Sequence, residues 1–99
     1  MAALTSQHRK ILKALAHDLA PVVLVGKRGM SDELARSAAD ALDAQELVKV
    51  KFNDFKDSKQ EIADELCRRT NAELVGIIGN VATFYKWQAD DEKRQIELP

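Results

Sequence analysis

Pro21-Val22-Val23-Leu24-Val25-Gly26-Lys27-Arg28-Gly29-Met30-Ser31-Asp32-Glu33 is the stretch on which the fold turns. Val22 to Val25 is a short β-branched run with no polar alternation, the pattern of a strand buried on both faces. Such a strand needs a layer above it and another below. Gly26 to Gly29 ends the run, and Ser31 followed by Asp32 and Glu33 reads as a capped helix start with acids in its first turn. The helix is expected to reach about Ala44 and to bury Leu34, Ala38, Ala41 and Leu42.

Upstream, Thr5 caps a helix to about Ala16, with Ile11, Leu12 and Leu15 on one side and Arg9, Lys10 and Lys13 on the other. Arg9 and Lys13 are four apart and share a face. Asp18 to Pro21 breaks the pattern, because the residue before a proline disfavours helix. Downstream, Leu47 to Phe52 alternates, with Val48, Val50 and Phe52 on one side and Lys49 and Lys51 on the other, which predicts a half-exposed strand. Asp54 to Asp57 turns the chain. Ser58-Lys59-Gln60-Glu61 fits a capping box for a third helix that buries Ile62, Leu66, Ala63 and Cys67 and ends near Asn71. Leu74 to Ile78 and Val81 to Lys86, separated by Gly79-Asn80, read as a hairpin.

The order is helix, strand, helix, strand, helix, strand, strand. This predicts a two-layer α/β (α+β) domain with a small four-stranded mixed sheet, parallel across each crossover and antiparallel at the hairpin. Two helices cover one face, and the first helix is the expected cover for the second face of the Val22 to Val25 strand. Residues 1–87 form one domain, and 88–99 are expected to be a charged, mobile tail on which Ile96 and Leu98 can dock.

The chain has 99 residues, 45% of them hydrophobic and 31% charged, enough for one core. No apolar run is long enough for a bilayer and no signal pattern opens the chain, so the expectation is a cytoplasmic protein without membrane contact. A monomer is expected. The single cysteine, Cys67, allows no internal disulfide and supports no zinc site. The only histidines, His8 and His17, have no metal or catalytic pattern beside them. No cofactor or metal site is read, and no set of nucleophile, base and orienting group can be named for an enzyme.

The net charge of -1 argues against a protein that coats nucleic acid by bulk charge, but its distribution is uneven. Residues 1–51 carry eight Lys and Arg against six acids, and residues 52–99 carry seven against ten. Gly26-Lys27-Arg28-Gly29 stands out within the basic half. Its glycines let the chain bend and a phosphate come close, and two cations sit at the tip. This is the logic of the G-x-x-G loop that clamps nucleotide backbone. A solvated tight turn explains the tetrapeptide equally well, and Asp32 and Glu33 would repel a phosphate brought too near. The spacing excludes a nucleotide-binding P-loop. Lys49, Lys51, Arg9 and Lys13 are further candidates for phosphate contact, though solvated lysines are the norm. Arg68 and Arg69 can simply complement a helix end, and Tyr85 and Trp87 can stack on bases or pack in the core margin.

Leu12 with Leu15-Ala16 before Pro21-Val22-Val23, then Gly26-Lys27-Arg28-Gly29, then Ala41-Leu42 leading to Glu46-Leu47-Val48-Lys49-Val50, and Ile78-Gly79 before Phe84-Tyr85-Lys86 follow one another in a fixed order and spacing. In these segments the chain resembles the YhbY-type, single CRM-domain proteins (chloroplast RNA splicing and ribosome maturation). The resemblance implies a four-stranded mixed sheet similar to the C-terminal domain of translation initiation factor three. It also implies RNA binding through Gly26, Lys27, Arg28 and Gly29, with large-subunit ribosomal RNA, its precursor and pre-ribosomal particles as partners. Met30 and Lys86 depart mildly from the family pattern. The alternative is a protein-binding adaptor on pre-ribosomal particles with little direct RNA contact.

Overall fold

A computed structural model describes residues 3–99. Its elements are α1 (Ser6–Ala16), β1 (Val23–Val25), α2 (Asp32–Gln45), β2 (Leu47–Phe52), a 3-10 turn (Lys56–Ser58), α3 (Lys59–Thr70), β3 (Glu73–Ile78) and β4 (Val81–Tyr85). The order is the one expected. Thr5 caps α1 reciprocally with His8: the His8 N–H donates to Thr5 Oγ1 at 3.1 Å, and the Thr5 N–H to His8 Nδ1 at 3.3 Å. Ser31 caps α2 by accepting from the Leu34 N–H at 3.1 Å. Ser58 does not cap α3 with its side chain. There the chain enters the helix through the 3-10 turn, with the Ser58 N–H donating to the Phe55 carbonyl at 2.9 Å.

The strands lie in the order β1-β2-β4-β3. β1 runs parallel to β2, and β4 runs antiparallel to both β2 and β3. The crossover strands β2 and β3 therefore point the same way, and the hairpin folds β4 in between them. Gly79, at φ +57, supplies the left-handed residue of the hairpin turn.

Two cores result. On one face Leu34, Ala38 and Leu42 of α2 and Ile62, Ala63 and Leu66 of α3 pack on Val23, Val25, Val48, Val50, Phe52, Ala82 and Phe84. On the other face Leu12 and Ala16 of α1, with Leu4, pack on Leu47, Val75 and Tyr85. The placement of α1 corrects the expectation for β1. The helix packs on β2, β3 and β4, following the large Tyr85 ring, and leaves the second face of β1 bare. Val23 and Val25 point into the α2/α3 core, whereas Leu24 is 57% exposed and Val22 is exposed too. An apolar run shows that both sides of a strand are apolar, but not that both are covered.

Residues 88–99 form no helix or strand and lie against the α1 side of the molecule. Ile96 and Leu98 pack on the second core. The N–H groups of Gln95 and Ile96 donate to the Glu46 carboxylate at 2.6 and 3.4 Å. His8 Nε2 lies 2.7 Å from the Pro99 carbonyl. Glu46 itself is only 3% exposed and takes φ +62 at the end of α2.

Candidate nucleic-acid interface

The Val25 carbonyl accepts from the N–H groups of Asn53 and Asp54 at 3.0 and 3.2 Å, which ties together the loops that follow β1 and β2. The Gly29 N–H then donates to the Gly26 carbonyl at 3.0 Å, closing a tight turn with Lys27 and Arg28 exposed at its tip. The two glycines have different physical reasons. Gly29 sits at φ +61, and a Cβ there would lie 2.9 Å from Phe55 Cε2. Its backbone and its packing both require glycine. Gly26 lies outside the left-handed region, and an added Cβ would meet nothing within 4 Å. Nothing within the fold requires a glycine at that position.

Phe55, whose ring lies against Gly29, adopts φ +57 and is 46% exposed. A bulky residue in that conformation is strained. In the sequence Phe55 stands out only as an aromatic residue within the otherwise polar turn from Asp54 to Asp57. The aromatics that were singled out serve elsewhere: Tyr85 is fully buried in the second core with its hydroxyl unpartnered, and Trp87 lies under the Arg94 guanidinium, 4.8 Å from its centroid.

A cleft of about 440 Å³ runs beside the loop, between the open edge of β1 and the first turns of α2, lined by Val22, Leu24, Gly26 to Gly29 and Ser37 among others. The two first-turn acids each have a cation partner. Arg28 Nη1 lies 3.1 Å from Glu33 Oε2, both highly exposed, and Arg69 Nη1 lies 2.9 Å from Asp32 Oδ1. Arg69 also bonds Glu65, which Arg68 joins. Hydrogen bonds from Arg68 and then Arg69 hold the Glu65 carboxyl below its ordinary value, and those to Glu65 and Asp32 hold Arg69 above its own. These exposed pairs contribute little stability. They do offset the negative charge at the α2 start.

The other basic residues separate along the sheet. Lys51 is paired in register with Leu24, so both project onto the bare face close to the loop. Lys49 lies one pleat farther along that face, and its Nζ donates to the Leu19 carbonyl at 3.0 Å. Lys13 lies across Gly76 of β3, where an added Cβ would stand 2.9 Å from its Cε. Arg9 is set apart. Its Nη1 donates to the Leu4 carbonyl at 3.0 Å, and the Leu4 N–H donates to Glu73 at the opposite end of the sheet from the loop.

No cluster of His, Cys, Asp or Glu that could hold a metal ion occurs among the described residues, and none of their helices is long and apolar enough to cross a membrane. Burial, with Asp64 and Glu73 nearby, pushes the Cys67 thiol up to about 11, so it is a protonated side chain against the first core.

The family model for the CRS1/YhbY (CRM) domain matches residues 4–86. The chain belongs to this family. The match takes in all four strands, the three helices and the glycine loop of this CRM domain. Among its relatives, the Bacillus subtilis "Probable RNA-binding protein YqeI" is 37% identical over 97 residues, covering 97% of this chain and 99% of that one. A Haemophilus influenzae protein named "RNA-binding protein" is 34% identical over 100 residues, covering 100% of this chain and 98% of its own. The solution structure of Staphylococcus aureus SAV1595, a protein proposed to bind RNA, superposes with a TM-score of 0.78 at 31% identity. That superposition covers 96% of this chain and 100% of that one.

Proposed function

We propose that this CRM domain is an RNA-binding protein of ribosome assembly that grips RNA backbone with the Gly26 to Gly29 loop. The observation that carries the reading is Gly26: neither its φ nor its surroundings call for glycine, yet it stands beside two exposed cations at the mouth of an open cleft. A glycine that the fold does not need leaves room for a backbone approaching from outside. Lys27 and Arg28 supply charge for phosphates, and Lys51 adds to it from the neighbouring strand. The names of the relatives agree with RNA as ligand. The proposed ligand is ribosomal RNA of large-subunit precursors, met in the cytoplasm by a monomer.

Crosslinking in cells followed by mapping of the RNA tests this. Sites within large-subunit ribosomal RNA, and sedimentation of tagged protein with large-subunit precursors, are expected. Recovery free of all ribosomal particles would contradict it. The exposed side chains of Leu24 and Ile78 favour a second reading, an adaptor that binds a protein on the particle. Salt separates the two, since phosphate contacts weaken steeply as salt rises and an apolar interface does not.

A further inference from the structure

The second face of the sheet is covered by α1 only where Leu12 and Ala16 meet Leu47, Val75 and Tyr85. Toward the loop it is open, and between this open face and the C-terminal end of α1 lies a groove of about 280 Å³. Ala16, Pro21, Ile78 and Val81 give it apolar walls. Lys13, His17 and Lys49 stand around it, Thr83 adds a hydroxyl, and no carboxylate among the described residues lines it. The pieces are held in place by the fold. The Lys49 bond to the Leu19 carbonyl fastens the α1–β1 connection to the sheet, and the missing side chain of Gly76 lets the Lys13 stem lie flat across β3.

We propose that this groove is a nucleobase pocket for single-stranded RNA that runs on from the glycine loop. The proposal rests on the RNA-binding reading above and adds a second contact region to it. The space suits one base rather than a folded partner, being below the usual range for a drug-sized ligand, about 300–1,000 Å³. Apolar walls accept the ring faces, while the Thr83 hydroxyl and the His17 ring offer hydrogen-bonding groups to a base edge. Two ammonium groups without a neighbouring carboxylate select an anionic ligand, and Lys49 keeps two further donors beyond its bond to Leu19. From Gly26 back to Pro21 is five residues of nearly extended chain, roughly 16 Å. Leu24 and Lys51 bridge that interval on the same face.

The test compares the full-length parent, Lys13→Gln/Lys49→Gln and Lys27→Ala/Arg28→Ala on two single-stranded RNAs of mixed sequence, a dinucleotide and a dodecanucleotide. The dinucleotide is too short to reach across the roughly 16 Å between the two regions. The groove variant is expected to lower the salt slope for the dodecanucleotide by about 1.4, at about 0.7 for each lost phosphate contact, and to leave binding of the dinucleotide at the loop as in the parent. A thiouridine-substituted dodecanucleotide is expected to crosslink to the 78–83 or 16–21 segments. Lys13→Gln alone, which breaks no main-chain bond, guards against a folding effect of losing Lys49. If the loop variant weakens both RNAs while the groove variants match the parent, the pocket is refuted and the RNA-binding reading stands. A parent that binds neither RNA overturns both. Weakening by the groove variants alone supports the pocket and removes the loop.

Discussion

Gly26 and Gly29 look equivalent in a G-x-x-G motif, but only Gly29 is fixed by the fold. Gly29→Val is expected to destabilise the protein by about 1–3 kcal/mol from backbone strain, and by more where the new side chain meets Phe55. Gly26→Ala is expected to change stability by no more than about 0.5 kcal/mol and still weaken RNA binding. Thermal unfolding and RNA affinity on the same samples check both. A Gly26→Ala protein that binds like the parent would mean that nothing approaches this backbone closely. Cys67 gives a second expectation. Burial raises its thiol from 9.0 to about 11, so the folded state favours the protonated form. The stability tied to that preference is present below pH 9.0 and lost as pH rises toward about 11. Denaturant unfolding across this range should show the loss, reduced in Cys67→Ala; equal losses in the two proteins would remove Cys67 as the cause.

The elements were legible where they rest on local pattern. Alternation in Leu47 to Phe52, the Ser31 cap and the Gly79-Asn80 turn each act within a few residues, and the structure reproduces them. What was not legible depends on distant partners. The bare face of β1 follows from where α1 meets Tyr85, and the Phe55 ring meets Gly29 only because the loops after β1 and β2 are tied side by side. Likewise Ser58 was a plausible cap by spacing, yet the 3-10 turn presents it in a conformation that makes no such bond. Glu46 is a further case, since its partners Gln95 and Ile96 lie at the far end of the chain. Glu46→Ala is expected to cost about 1.5–3 kcal/mol, the range for hydrogen bonds to a charged group. Removing residues 88–99 should leave the 1–87 domain folded and less stable, and Glu46→Ala should then cost less in the shortened protein than in the full chain. Equal costs in both would show that the tail does not act through Glu46.

Over the whole molecule, two helices close one face of the sheet, one helix closes part of the other, and Lys13, Lys49 and Lys51 fall along the part left open. The family, the order of elements along the chain and the place of the loop after the first strand could be read from the sequence because they are carried by motifs in order; the strand order β1-β2-β4-β3 could not. Alternation already put Lys49 and Lys51 on one face, but that Lys13 joins them while Arg9 lies at the other end depends on helix placement and was not legible. If the loop holds RNA by its phosphates, removing its two cations must weaken binding in a salt-dependent way. Equilibrium binding of large-subunit RNA to the parent and to Lys27→Ala/Arg28→Ala, measured over a series of salt concentrations, tests it. Unchanged thermal stability, weaker binding, and a salt slope lower by about 1.4–1.8, at about 0.7 to 0.9 for each lost phosphate contact, are expected. A variant that keeps the parent's affinity and slope would contradict it.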